Sequence, residues 1–297
     1  MNHSSHPKSL PGFTAELVTA VLDLALAGPG RTPVFGIAGL QGTGKSTLSA
    51  QLVKAGRVRR LNVVALSIDD FYLTRRERLA LGREVHPLLA TRGPPGTHDI
   101  GLACRTIDAL RKWGQSEFHV PDAQDATSAS LEKLHSDPIS VRLPRFDKIG
   151  DRRLPPSRWR AIRKKPDLIV FEGWFLKVPA ESEQALRKPL NELERDDDQD
   201  GVWRRHCNQA LSAYQPLWQR LDSLLFLQGP GFEVVPAWRW QQERTLQAAN
   251  PQRRAMSRGE VERFVLFFER VSRQALRTLP GIADRTLRID ARRRISK

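Results

Sequence analysis

Cysteine is scarce in this chain: two residues in 297, Cys104 and Cys207, far apart and with no CxxC spacing. That excludes a zinc ribbon and a disulfide framework, and it fits a reducing compartment. The seven histidines form no HExxH or paired pattern, so a structural metal is not expected. Long apolar runs are missing as well. The longest, 17–27, is broken by Asp23 and is too short to cross a bilayer. No charged-then-apolar start with a small-residue cleavage site is present, so a cytoplasmic protein is expected. No internal repeat appears, and with 40% hydrophobic residues the chain can still bury a core of ordinary size.

Acidic residues are outnumbered, 33 against 48, which leaves a net charge of +15. The excess is local. Residues 140–165 carry a surplus of +8 and residues 285–297 a surplus of +5. Such charge is compatible with nucleic acid, an anionic surface or small anionic ligands. No RNP-type string, helix-turn-helix signal or basic–aromatic strand pattern accompanies it. A specific nucleic-acid partner is therefore not expected, nor is a membrane; a nucleic-acid-binding NTPase remains the alternative of a different class.

Apolar periodicity alternates between two kinds. The short β-rich runs 33–38 (PVFGIA), 61–68 (LNVVALSI) and 167–171 (DLIVF) read as buried strands, with 222–227 and 286–289 as weaker ones. Between them, helical spacing recurs over 13–27, 46–55, 102–113, 203–221 and 261–279, the last after a Ser257–Glu260 capping box. This pattern predicts an α/β fold with a mostly parallel sheet covered on both faces. Residues 1–10 read as a flexible tail and 11–297 as one domain. The polar stretch 115–137 resists assignment, and the acidic stretch 192–201 reads as a surface turn.

The first strand runs into Gly39, Leu40, Gln41, Gly42, Thr43, Gly44, Lys45, Ser46 and Thr47, which satisfy GxxxxGK[ST]. A chance match in a chain of this length has a probability of roughly 1%, and here it lies between strand and helix, where its physics requires. Glycines let backbone N–H groups turn toward phosphate oxygens, and the helix N-terminus favours negative charge. Lys45 is suited to the β- and γ-phosphates of ATP, and the Ser46 hydroxyl to Mg²⁺. No NKxD guanine-reading string occurs.

Two further strands end in acids. The second closes on Ser67-Ile-Asp69-Asp70-Phe71-Tyr72 and the third on Phe171-Glu172-Gly173. Ligands of open α/β sheets gather at the carboxyl ends of the strands, which puts these acids near the γ-phosphate. One of Asp69 and Asp70 is then free to take a proton from an acceptor hydroxyl while the other caps the following turn. Glu172 either serves the metal and acceptor or caps the next helix.

The order of these features resembles the small-molecule kinase branch of the phosphate-loop proteins. Several strings resemble the D-glycerate 3-kinase family more closely: SIDDFYLT (67–74), RGPPGTHD (92–99), PRFDKIGDR (144–152), FEGWF (171–175), PLNELE (189–194) and WRWQQE (238–243). The similarity spans about residues 33–290. It implies a fold of the phosphoribulokinase–uridine kinase type and Mg²⁺-dependent transfer of ATP's γ-phosphoryl to a small anionic hydroxy acid, most plainly D-glycerate. Another small metabolite, pantothenate-like or a sugar acid, is the alternative. The resemblance makes Asp69 the carboxylate beside the acceptor and the metal, and Glu172 the acid after the third strand. Asp70, Tyr72, Arg92, His98, Arg145, Asp147, Lys148 and Arg152 then become candidates for holding the acceptor, since an anionic acid beside ATP needs cations. Asp99 is equally well placed to cap the helix near Ile100. Arg239 and Arg244 lie in a segment similar to the lid of such kinases, about 236–258, where an arginine neutralises charge in the transition state. The chain departs from the family at Phe267-Phe268-Glu269-Arg270, where those kinases carry a PAY-type string.

Overall fold

A computed structural model describes residues 12–30, 32–113, 140–252 and 254–296. The expected tail (1–10) and the unassigned stretch 115–137 lie outside the described residues. Five parallel strands form the central sheet: β1 (Val34–Gly39), β2 (Val63–Ser67), β7 (Leu168–Gly173), β8 (Ser223–Gln228) and β9 (Arg285–Arg288). They lie in the order β2-β7-β1-β8-β9. β3 (Val141–Leu143) pairs with β6 (Arg160–Ile162), and β4 (Phe146–Asp147) with β5 (Arg152–Arg153), both antiparallel.

The helices are α1 (Ala15–Leu26), α2 (Lys45–Val58), α3 (Arg75–Glu84), α4 (Ile100–Arg111), α5 (Glu183–Leu186), α6 (Glu192–Asp196), α7 (Val202–Ala213), α8 (Gln215–Trp218), α9 (Val235–Ala249) and α10 (Arg258–Ile282). Each expected strand is present, and so are the expected helices, with ends shifted by a few residues, except that the stripe over 203–221 divides at Tyr214 into α7 and α8. The predicted capping box at Ser257 and Glu260 opens α10.

β1 is buried along its whole length, which is why its sequence is continuously apolar rather than alternating. Its residues still divide by face. Phe35 and Ile37 pack with Val170, Leu225, Leu227 and the α1–α2 residues Leu22, Leu48 and Leu52. Val34 and Ala38 join Leu66, Phe171 and Phe226 with the α4 and α10 residues Ile107 and Ala275 on the other side. Helices on both faces leave only the strand ends open, and there the chemistry gathers.

The stretch 192–201 lies largely at the surface, as expected, but is more than a turn. It folds into α6 and its loop, with Glu194 and Asp198 almost fully buried. Arg270 holds Glu194 at 2.6 Å and Glu181 at 3.1 Å, and Arg204 holds Asp198 at 3.0 Å. Composition reads an acid run as solvated; the arginine on α10 that neutralises Glu194 lies 76 residues away.

Removing one partner of a buried ion pair strands the other charge, typically at about 3–5 kcal/mol. Arg270→Met is therefore expected to lower the urea-unfolding free energy by that order without altering turnover per folded molecule. A loss below about 1 kcal/mol would mean that the pair is solvated like an exposed one.

Candidate active site

β1 delivers the chain to the glycine loop at the end of the sheet. Gly42 and Gly44 hold φ of 85° and 95°, a region that side chains rarely adopt. A Cβ on Gly42 would also meet Trp238 of α9 at 2.6 Å. α2 opens at Lys45 with Gly44 as its N-cap and no side-chain cap, so its first N–H groups are free for an anion. Lys45 Nζ donates to the Leu40 carbonyl at 2.9 Å, an oxygen that also accepts from the Thr43 hydroxyl at 2.9 Å. Leu40 contributes that carbonyl alone, since its side chain packs with Phe232, Val235 and Val265. Burial pulls the Lys45 ammonium below its ordinary pKa, opposed by the charges of Glu172 and Asp69.

Glu172 ends β7 in register with Ile37 of β1 and Ser67 of β2. Its carboxylate accepts the Ser46 hydroxyl at 2.9 Å, so of its two expected placements it takes the one facing the loop. These are hard oxygen donors. Mg²⁺ takes one or two protein oxygens together with phosphate oxygens and water, which this pair fits. Among the described residues, no group of three or more His, Cys, Asp or Glu side chains is arranged as a metal cage; an ion held in this way needs none.

β2 ends in a 3₁₀ turn (Ile68–Phe71) that separates the two neighbouring acids. Asp69 accepts Lys148 Nζ at 2.6 Å and the Tyr72 hydroxyl at 2.7 Å. Burial pushes the Asp69 carboxyl up, but the Lys148 ammonium and the Tyr72 hydroxyl outweigh it and hold the group below the carboxylate range. Asp70 turns the other way and accepts the Phe146 amide at 3.2 Å. Burial pushes Asp70 up to about 6, against that amide and Lys148. Adjacent carboxyls thus differ in environment, and Asp69 is the one ionised throughout the neutral range.

Lys148 is carried by the turn between β4 and β5. Within it, Asp147 accepts the amides of Ile149 and Gly150 and lies 3.6 Å from Arg152 Nε. Arg92 reaches this turn rather than the loop, binding Asp151 at 2.7 Å and the Lys148 carbonyl at 3.0 Å. Arg145 and Arg152 are exposed. The RGPPGTHD segment lies beside the DDFY turn, with Tyr72 bridging His98 and Gly93 against the Phe268 ring, where the chain departs from the PAY-type string. Asp99 caps α4 through the Leu102 amide at 2.8 Å and accepts Arg153 at 3.1 Å.

The His98 ring stacks on Tyr72 with centroids 4.5 Å apart, and its Nδ1 lies 2.7 Å from the Tyr214 hydroxyl. That hydroxyl also accepts the Gly96 amide. The His98 ring is buried, with no partner on Nε2 among the described residues. Burial pushes its pKa down to about 3. On α9, Arg239 pairs with Glu243 at 3.4 Å and lies over the Phe264 ring, while Arg244 is exposed.

Several residues here escaped sequence reasoning. Tyr214 holds His98 through Nδ1; Arg78 and Asp151 anchor the Lys148 turn. Arg293 donates to the Gly42 carbonyl at 2.5 Å and to Gln241 at 2.8 Å, with its guanidinium over Trp238. The strings around Asp151 carried a signal; Arg78, Tyr214 and Arg293 carried none beyond an unexplained basic or aromatic residue.

A parallel sheet in this order, with a glycine loop after β1 and acids at the ends of the two adjoining strands, defines the phosphate-loop kinases. No family model matches the chain. The uncharacterized kinase mug58 of Schizosaccharomyces pombe is 31% identical over 240 residues, covering 80% of this chain and 78% of that protein. The chloroplastic D-glycerate 3-kinase of Arabidopsis thaliana is 27% identical over 246 residues, 78% of this chain but 45% of that protein. The chain thus spans less than half the length of the Arabidopsis relative. Among solved structures, D-glycerate 3-kinase from Cryptococcus neoformans shares the fold, with a TM-score of 0.71 at 22% identity, covering 95% of this chain and 96% of that one. The chain belongs to the kinase family that includes mug58 and D-glycerate 3-kinase.

Unfolded His98 takes up its proton near 6.5 and folded His98 near 3. Between those values the unfolded chain binds more protons, so acid destabilises; the contribution is complete above about 6.5 and is lost as pH falls toward 3. His98→Phe keeps the ring stack and removes this titration. Between pH 6.5 and about 4 it should lose up to about 3 kcal/mol less stability than the parent, read from urea titrations at matched pH. Parallel curves would exclude a buried neutral imidazole.

Proposed function

We propose that the protein is a Mg²⁺- and ATP-dependent kinase that transfers the γ-phosphoryl group to a hydroxyl of a small hydroxy acid, D-glycerate foremost. The observation that carries this reading is the meeting of Lys45, Ser46, Glu172, Asp69 and Lys148 at the ends of three adjoining parallel strands. A nucleotide loop alone also suits a motor or a switch. An ionised carboxylate and a second cation opposite the loop suit a bound acceptor.

In this mechanism the loop amides and Lys45 bind the β- and γ-phosphates. Ser46 and Glu172, with Asp69 on the same side, would hold Mg²⁺, which would supply positive charge to neutralise the phosphate oxygens. Asp69 accepts the proton of the attacking hydroxyl. Its carboxyl lies below the ordinary range, so it contributes position more than basicity, in keeping with a loose transition state that needs little deprotonation before attack. Lys148 is a half-exposed ammonium already on Asp69; its flexible stem lets it pair with the carboxylate of the acid instead. His98 Nε2, neutral and without a partner among the described residues, is free to hydrogen-bond the acceptor.

Residues 11–297 are read as one kinase domain with a lid over about 236–258. The contact of Trp238 with Gly42 supports a lid seated on the loop. A cytoplasmic setting is supported by two buried free thiols. Among the described residues, no helix is long and apolar enough to cross a membrane.

A coupled ADP-release screen over hydroxy acids, nucleosides and pantothenate tests the acceptor. D-glycerate-dependent release is expected, and release with nucleosides or pantothenate alone would reject the hydroxy-acid assignment. In the same assay Asp69→Asn should lower kcat by about 10²–10⁴-fold with ATP affinity kept, and Asp70→Asn should be milder. The reverse order would move the proton acceptor to Asp70.

Arg239 is the lid arginine with a buried anchor. Arg239→Ala is expected to lower kcat more than it raises the KM for ATP, because charge on the transferring group redistributes only in the transition state. An unchanged kcat would remove it from the mechanism.

A further inference from the structure

Arg78 on α3 is almost fully buried, yet it bears a permanent charge. It donates to the carbonyls of Leu73 at 3.3 Å, Ala90 at 2.8 Å and Asp151 at 3.3 Å. Among the described residues its carboxylate partner is Asp151, at 2.8 Å. The other oxygen of Asp151 binds Arg92 at 2.7 Å. Both guanidinium groups also lie over the Phe146 ring, at 6.0 and 5.8 Å. A buried cation is costly unless it is paired and hydrogen-bonded, so a turn that anchors two arginines is held for a reason other than surface charge.

Backbone geometry agrees. Asp151 has a φ of 49°, a left-handed conformation that a non-glycine residue keeps only where its surroundings over-determine it. Arg92 reaches past the carboxylate to the carbonyl of Lys148 at 3.0 Å. At the base of the turn, the Phe146 amide is bound by Asp70, and Arg153 donates to the Tyr72 carbonyl at 2.9 Å. The turn is therefore fixed from outside through its backbone and Asp151, and from within by the Asp147 carboxylate, while the Lys148 side chain extends from it to Asp69 at 2.6 Å.

We propose that Asp151 is a positioning residue: gripped by Arg78 and Arg92, it fixes the backbone of the 147–151 turn so that Lys148 stands over Asp69 and meets the carboxylate of the acceptor. This assignment rests on the hydroxy-acid reading above for its acceptor, though not for its geometry. Arg92 then acts on the acid through the turn rather than by touching it. The main chain is clamped, and only the four-carbon stem of Lys148 has freedom to exchange one carboxylate for another.

The test is a double-mutant cycle on Asp151→Asn and Lys148→Met, with ATP and D-glycerate as substrates. A displacement of about 1 Å at a reacting group costs on the order of 10²-fold, so Asp151→Asn should lower kcat/KM for D-glycerate by about 10- to 100-fold. The KM for ATP should stay within about two-fold. In the Lys148→Met background the same change should cost less than about two-fold, because residues acting through one another are not additive. Equal losses in both backgrounds would overturn the proposal, since a merely structural Asp151 would act regardless of Lys148. A second readout needs no turnover: acylation of Lys148 by acetic anhydride, followed by peptide mass spectrometry, should be several-fold faster in Asp151→Asn than in the parent. An unchanged acylation rate would also overturn the clamp. If the parent releases no ADP with D-glycerate, the acceptor assignment fails, and the acylation rates still decide the clamp.

Discussion

Acids and ammonium groups crowd the ends of β2, β7 and β1, and each sign keeps the other ionised there. Burial disfavours charge on Lys45 and Asp69 alike. Asp69 is returned to its charged form by Lys148, and Lys148 is raised in turn by Asp69, with Glu172 and Asp70 adding to the effect. Removing one member changes the protonation of its neighbours, so the site behaves as one electrostatic unit rather than as separate side chains. The parallel sheet makes this possible. Strands aligned in register bring Glu172 beside Ser67 and Ile37, and helices cover both faces of the sheet.

Around that unit the protein uses arginine as mortar. Arg78 and Arg92 hold the Lys148 turn, Arg153 ties Tyr72 to Asp99, and Arg270 joins α10 to Glu181 and Glu194. A planar fork with five donors satisfies carbonyls and a carboxylate together, which lysine does not. Within 140–165, Arg153 is structural, whereas Arg145, Arg152, Arg158, Arg160 and Arg163 are exposed.

Legibility in the sequence followed distance along the chain. The nucleotide loop, the capping box at Ser257 and the strand–helix alternation are local patterns, so the α/β fold and the loop residues could be read directly. The division of labour between Asp69 and Asp70 could not, because it depends on the Phe146 amide 76 residues away and on Lys148 79 residues away. The acidic stretch at 192–201 misled for the same reason: composition registers the acids of α6 but not the buried arginines that face them. Arg78 reads as one more helix-surface cation until the fold brings Asp151 to it across 73 residues. Tyr214 reads as one more apolar position of a helical stripe, and only the fold puts its hydroxyl on His98.

The guanidinium of Arg293 joins two parts of the molecule to its own turn: the nucleotide loop through the Gly42 carbonyl, and α9 through Gln241 and the ring of Trp238. Trp238 in turn donates its indole N–H to the Ala291 carbonyl in the same turn as Arg293. The Gly42–Thr43 peptide is thus held from both sides, its carbonyl by Arg293 and its Thr43 N–H by the Leu40 carbonyl at 3.3 Å. The cradle is thereby preorganised before any nucleotide arrives, and less conformational freedom is lost on binding. The turn that carries Arg293 is accordingly a brace of the glycine loop, and a change of that side chain would be felt at Gly42.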